Sequence, residues 1–391
     1  MTVQSSPIQA SGELDLSGDM ASRVIVVQPV VPSYRLGFFD RIYQRLGRRL
    51  SVHASAEGSN ALRGSAFNAA WQRTLGPITR LVPGLYWQRG ALSIPIRKGD
   101  IVFVCGAPRC LSNLALFIKA RLKGATGVWW GHYWSHSSKG WRAAIRIGLM
   151  RLAHHLMFYT DKEVGEFQQQ AGNPDGVLVF ALNNGLETRE IKMLRSPYVG
   201  GKREDRILFV GRLREGTGLE TLFRALADPR CARIVLDIIG GGEHERELRR
   251  VTETAGVADR IKWHGACTDE RVISEIANRC KLFVYPGAVG LSLIHGLSYG
   301  LPSIVHGDRW KHGPEFAALE PGRNGFLFER GDASSLADVI VEAVADDRRL
   351  AAMSACAVST TEGDFNCQAM TDRFFDALSA IDRHKPQRVA S

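Results

Sequence analysis

The stretch from Leu282 to Val305 places the tightest constraint on what this chain can fold into. Leu282-Phe283-Val284-Tyr285 is a β-branched and aromatic run that reads as a buried strand. Gly287 and Gly290 mark a turn, a short helical pattern begins at Leu291, and Gly300-Leu301-Pro302 ends it before a second strand at Ser303-Ile304-Val305. Strand, glycine turn, helix, strand is half of a nucleotide-binding α/β sheet. Glycines ahead of a helix let backbone N–H groups approach an anion at the positive end of the helix dipole. His295 falls just inside that helix.

The same alternation runs along most of the chain in two series. The first has strands at 24–28, 50–54, 101–105, 127–130, 156–159 and 177–180, with a helix over 38–46 presenting Phe39, Ile42, Tyr43 and Leu46 on one face, and another around 111–122. Residues 196–205 have linker composition. The second series has strands at 206–210, 234–239, 261–263, 282–285 and 303–305, separated by helical patterns at 219–227, 243–255 and 269–279. A final helical pattern covers 368–382. The expectation is two doubly wound, Rossmann-like α/β domains facing across a cleft, over residues 21–195 and 205–365. Residues 1–20 are expected to be a disordered tail, and 366–391 a helix and tail that return to the first domain. Ligands of open α/β sheets bind at the carboxyl ends of strands, so such a pair would hold one ligand on each side of the cleft.

Charge divides the halves. Residues 1–195 carry 24 Lys and Arg against 12 Asp and Glu, a surplus of +12; the remainder carries 26 against 28, or −2. A surplus confined to one half favours an anionic partner, such as an anionic membrane surface, a pyrophosphate-linked lipid or nucleic acid; the bland alternative is solubility. No nucleic-acid motif accompanies the charge. The stretch 140–158 reads as a helix with Lys139, Arg142 and Arg146 on one side and Trp141, Ile145, Leu149, Leu152 and Leu156 on another. It either packs on the core or docks on anionic lipid. The seven cysteines have scattered spacings and no CxxC, which fits reduced thiols and neither a disulfide framework nor a metal site. With no run of eighteen apolar residues and no leader pattern at the N-terminus, the expectation is a cytoplasmic protein, peripheral on the inner face of a membrane.

Five motifs in register resemble the retaining glycosyltransferases of family 4, which have the GT-B fold. Phe209-Val210-Gly211-Arg212-Leu213 with Gly216, Gly218 and Leu222 resembles that family's "FVGRL…KG…L" signature. Ile238 to Glu243 resembles its glycine loop, 285–305 its donor-sugar loop, and Pro314-Glu315 with Gly322-Arg323-Asn324-Gly325-Phe326-Leu327-Phe328 its downstream "E…G.NG.L" element. The resemblance implies a nucleoside diphosphate sugar bound mainly by the second domain, an acceptor bound mainly by the first, transfer with retention at the anomeric carbon, and no metal or other cofactor. A lipid-linked or other saccharide acceptor in surface or exopolysaccharide assembly is the implied context. The alternative is a catalytically degenerate member serving as a binding or scaffold subunit.

Carried over residue by residue, the resemblance makes Arg212 the diphosphate arginine and His132, in Trp129-Trp130-Gly131-His132-Tyr133-Trp134, the active-site histidine, with His136 an outside candidate. Gly211, Gly241, Gly290, Leu291, Ser292 and Glu315 fall at donor-binding positions. Two departures stand out. The family's lysine is Thr217 here, which removes a charge that Arg214 could replace. The family's two donor-loop glutamates are Gly287 and His295; a branch of the family uses histidine at the second. In the first domain, Arg35 and Gly37 lie on a loop expected across the cleft from the diphosphate. Asn184, in Asn183-Asn184-Gly185, lies near the hinge, where a plain polar turn is the equal alternative.

Overall fold

The computed structural model describes residues 22–56, 69–134, 141–172, 174–199 and 201–384. The expected tail at 1–20 and His136 lie outside them. Among the described residues nine strands precede the hinge: β1 (Val24–Val27), β2 (Leu50–Ser55), β3 (Gln72–Leu75), β4 (Ile78–Val82), β5 (Leu85–Gln88), β6 (Ile101–Cys105), β7 (Thr126–Trp130), β8 (His155–Phe158) and β9 (Val179–Ala181). Six follow it: β10 (Arg206–Val210), β11 (Val235–Ile239), β12 (Ile261–Trp263), β13 (Leu282–Tyr285), β14 (Ser303–His306) and β15 (Gly325–Phe328). The first sheet runs β3-β2-β1-β6-β7-β8-β9 and the second β12-β11-β10-β13-β14-β15, every neighbouring pair parallel. β4 and β5 form a separate antiparallel hairpin.

Both sheets are doubly wound. Strand order reverses between β1 and β6 in the first and between β10 and β13 in the second, and the crevice at such a switch point is where ligands bind. Val24–Val27 and Leu282–Tyr285 are buried at every position, as central parallel strands must be with helices on both faces.

The helices before the hinge are α1 (Leu36–Leu46), α2 (Leu111–Leu122), α3 (Trp141–Met150), α4 (Asp161–Ala171) and α5 (Arg189–Leu194). Those after it are α6 (Leu219–Leu226), α7 (Glu245–Thr254), α8 (Glu270–Ala277), α9 (Leu291–Ser298), α10 (Ala333–Val344), α11 (Asp347–Gly363) and α12 (Cys367–His384). α1 buries Phe38, Phe39, Ile42 and Leu46 at helical spacing. α12 lies on the first domain: Phe374 packs edge-on to Phe38 and within 4.9 Å of Phe103, in one cluster with Met370, Leu378 and Ile381.

Three sequence expectations need correction. The helix read over 140–158 stops at Met150, because β8 begins at His155 and its four residues are all buried in the sheet. Leu152 and Leu156 therefore do not extend the apolar face of α3. That face is not packed on the core: Trp141 is 68% exposed and Ile145 52%. The stretch 196–205 is not a loose linker, since buried Arg203 donates to the carbonyls of Ala277 and Cys280 at 2.9 and 3.0 Å and straps the chain to the second domain.

Candidate active site

A cleft of about 1650 Å³ lies between the domains, at both switch points. From the second domain it is lined by Gly211, Arg212 and Arg214 after β10, by Gly290, Leu291 and Ser292 at the start of α9, and by Glu243 and Lys311. From the first domain come Tyr34 after β1, Arg109 after β6, and His132 and Trp134 after β7, together with the cleft face of α3.

His132 is held by a short chain of cause and effect. Thr160-Asp161-Lys162-Glu163 opens α4, and the Thr160 hydroxyl accepts the N–H of Glu163 at 3.3 Å. Glu163 turns back: its Oε2 accepts the N–H of Tyr159 at 3.0 Å and its Oε1 receives Nδ1–H of His132 at 2.7 Å. A carboxylate only accepts, so Nδ1 carries a proton, and in the neutral ring Nε2 carries the lone pair. Tyr159 and Trp134 flank the ring at 4.6 and 5.4 Å. Of the three tryptophans in 129–134, Trp129 and Trp130 are core and Trp134 reaches the cleft.

On the opposite side, α9 starts at Gly290 with no side-chain cap, so its first N–H groups face the cleft between Arg212 and Lys311. Beneath them lies Glu315, 5% exposed, with Oε2 near Gly290. Burial raises the Glu315 pKa, opposed by the Nδ2–H of Asn184 (2.8 Å) and by the charge of Arg35. Arg35 in turn donates to Asn184 Oδ1 at 2.7 Å and lies 5.3 Å from the Trp130 ring. Arg35, Asn184 and Glu315 thus form a buried polar chain from one domain to the other. Arg35 was expected to offer charge to the cleft. It does not line it, because its guanidinium is committed to this chain. Asn184 is likewise a bridge and not a plain turn.

Four other expected residues lie off the lining. Gly37 is inside the first turn of α1, against Arg41 and Glu187. Gly241 packs on Ala266, while its neighbour Gly240 is the glycine that closeness demands: a side chain there would collide with the carbonyl of Gly211. His295 points to α8, where Nε2 donates to Glu270 at 3.0 Å; Tyr299 donates to the same carboxylate at 2.5 Å. Burial pushes the Glu270 pKa up, but these two bonds outweigh it and the net shift is downward. Thr217 is buried with no partner for its hydroxyl. Its loop lies directly against Gly287, where any Cβ would sit on Gly216 and Thr217 carbonyl groups. The two departures from the family pattern touch each other. With glycine at 287 the loops close together, and position 217 is sealed off from the cleft.

Sequence reasoning missed Arg109, Arg142, Arg146, Lys311 and Glu163 as cleft-related residues. Only Glu163 had a readable signal, the Thr-x-x-Glu helix start.

Residues 204–346 match the family "Glycosyl transferases group 1". The architecture of the chain is the GT-B fold of glycosyltransferases. A lipopolysaccharide core biosynthesis glycosyltransferase, LpsE of Rhizobium meliloti, is 25% identical over 44% of this chain and 49% of its own, so the match spans about half of that relative. A GDP-mannose-dependent alpha-(1-6)-phosphatidylinositol monomannoside mannosyltransferase of Mycobacterium tuberculosis is 24% identical over 92% of this chain and 99% of its own. Among solved structures, Anabaena Alr3699/HepE in complex with UDP superposes with a TM-score of 0.65 at 16% identity, covering 92% of this chain and all of that one. The lipopolysaccharide outer core galactosyltransferase WaaB gives 0.66 at 15% identity, covering 92% and 99%. Among the described residues, no helix of this GT-B chain is long and apolar enough to cross a membrane.

Proposed function

We propose that the protein transfers a sugar, with retention, from a nucleoside diphosphate sugar to a lipid-linked saccharide or similar acceptor in cell-surface or exported polysaccharide assembly, working peripherally at the inner face of a membrane. The observation that carries this reading is the pairing across one cleft of an uncapped helix start flanked by cations with a histidine of fixed tautomer. In this reading the diphosphate lies on the N–H groups of Gly290, Leu291 and Ser292, and Arg212, Arg214 and Lys311 neutralise the charge that develops as the anomeric bond breaks. Those side chains supply the positive charge, so the proposal invokes no metal. His132 faces the donor sugar through Nε2, and Glu315 supports the donor loop from below. The relatives' printed activities, on lipopolysaccharide core and on a phosphatidylinositol mannoside, support a glycolipid acceptor.

Calorimetric titration with UDP and GDP tests the reading. One of the two should bind, and Arg212→Ala should weaken it roughly tenfold or more, the scale of a lost charge-assisted hydrogen bond of about 1.5–3 kcal/mol. Folded protein that binds neither nucleotide would transfer the weight to a scaffold role.

A further inference from the structure

The wall of the cleft facing the donor groups gathers three guanidinium groups: Arg109 after β6, and Arg142 and Arg146 on α3. Among the described residues none of the three has a carboxylate at ion-pair distance. The nearest negative charge acting on Arg146 is Glu163, and both oxygens of that carboxylate already hold His132 and the Tyr159 N–H. Arg146 is half-buried and donates Nη1–H to the carbonyl of His132 at 3.2 Å, while its buried Nε has no acceptor among the described residues. A buried donor without a partner costs about 1–3 kcal/mol. Arg109 lines the same wall, and its charge bears unfavourably on Arg146. Beside them, Trp141 and Ile145 are exposed and Leu149 half-buried, all on the cleft lining. Cations without counter-ions next to an uncovered apolar ridge fit a molecule that is anionic at one end and apolar at the other.

We infer that this wall is a second anion site, distinct from the diphosphate groups of α9, and that it takes an acceptor carrying a phosphate. The phosphate would lie among Arg109, Arg142 and Arg146, and an apolar chain along Trp141, Ile145 and Leu149. The inference rests on the transferase reading and narrows its acceptor to phosphorylated amphiphiles. Because Arg146 is bonded to the backbone of His132, the phosphate sits close to the transferring centre, within the sugar-phosphate end of the acceptor. This wall also accounts for part of the basic surplus of the first half.

The test uses the full chain and three soluble probes below their micellar concentrations: decyl phosphate, decyl maltoside and inorganic phosphate. Decyl phosphate should bind saturably, one per chain, at least tenfold tighter than either of the others. Arg109→Ala with Arg142→Ala should weaken it tenfold or more and leave nucleotide affinity unchanged; Trp141→Ala should weaken decyl phosphate but not inorganic phosphate. Equal binding of decyl phosphate to wild type and the double variant would overturn the site. So would saturable binding of decyl maltoside at the same affinity. Association with phosphatidylglycerol vesicles without saturable decyl phosphate binding would also overturn it, showing a membrane-facing surface instead. Nucleotide binding is read separately, so loss of the transferase reading and loss of the acceptor site give different results.

Discussion

At the scale of single residues, Glu163 does the most with the least. It closes the start of α4, accepts a backbone N–H, and selects which nitrogen of His132 carries the proton. Glu163→Gln keeps the shape but offers the ring a different partner. An amide can present its N–H to Nδ1 and so favour the other tautomer. We expect nucleotide affinity to stay within about twofold, the transfer rate to fall by roughly ten- to a hundredfold, and the His132 tautomer to change in nitrogen NMR. An unchanged rate with a changed tautomer would remove His132 from the chemistry. Arg35 shows the opposite lesson. A charged side chain on a loop beside a cleft looks available, yet its bonds to Asn184 and through it to Glu315 use it inside the fold.

At the scale of elements, the two loops before α6 and α9 are a matched pair. Gly287 lies on the carbonyls of Gly216 and Thr217, so the larger residues of the family pattern cannot return one at a time. Gly287→Ala should destabilise the protein by about 1–3 kcal/mol through overpacking of backbone on backbone, measured by urea unfolding. Thr217→Lys alone should not restore a cleft-facing charge, because position 217 is sealed beneath the loop. An unperturbed midpoint for Gly287→Ala would show that the loops separate freely.

At the scale of the whole molecule, the domains meet at more than the cleft. Arg309 pairs with Glu166, which also accepts the Tyr133 hydroxyl at 2.9 Å, and Trp134 meets Trp310 edge to face at 5.2 Å. Both sheets also carry histidines in strands: His53 and His155 in the first, His306 in the second. Burial, with help from neighbouring cations and imidazoles, lowers each pKa to about 4. An unfolded histidine titrates near 6.5, so below that pH the unfolded chain takes up protons that the native state refuses. Stability is therefore full above about pH 6.5 and is lost progressively down to about pH 4. The melting temperature should drop by at least about 5 °C between pH 7.5 and pH 5. His53→Gln should flatten part of that slope; a profile flat through this window would contradict the neutral buried state.

The architecture was legible because parallel strands covered on both faces must be continuously apolar, and continuous runs such as Val24–Val27 and Leu282–Tyr285 are visible without coordinates. The glycine turn at Gly290 was read the same way, from strand, glycines and helix in succession, whereas Arg212 was singled out by the family resemblance alone. Short polar β3 and the β4–β5 hairpin were not legible, since edge and hairpin strands carry weak patterns and depend on their partners. Two doubly wound sheets and candidates at their strand ends were readable from the residues, while the strand order and its switch points came from the fold. Which candidates face the cleft was decided only by tertiary structure. His295 and Arg35 were drawn away by partners 25 and 149 residues distant, and Arg109 joined Arg142 and Arg146 across the fold. Hydrogen bonds and ion pairs act over a few ångströms in space, and separation along the chain says nothing about those distances.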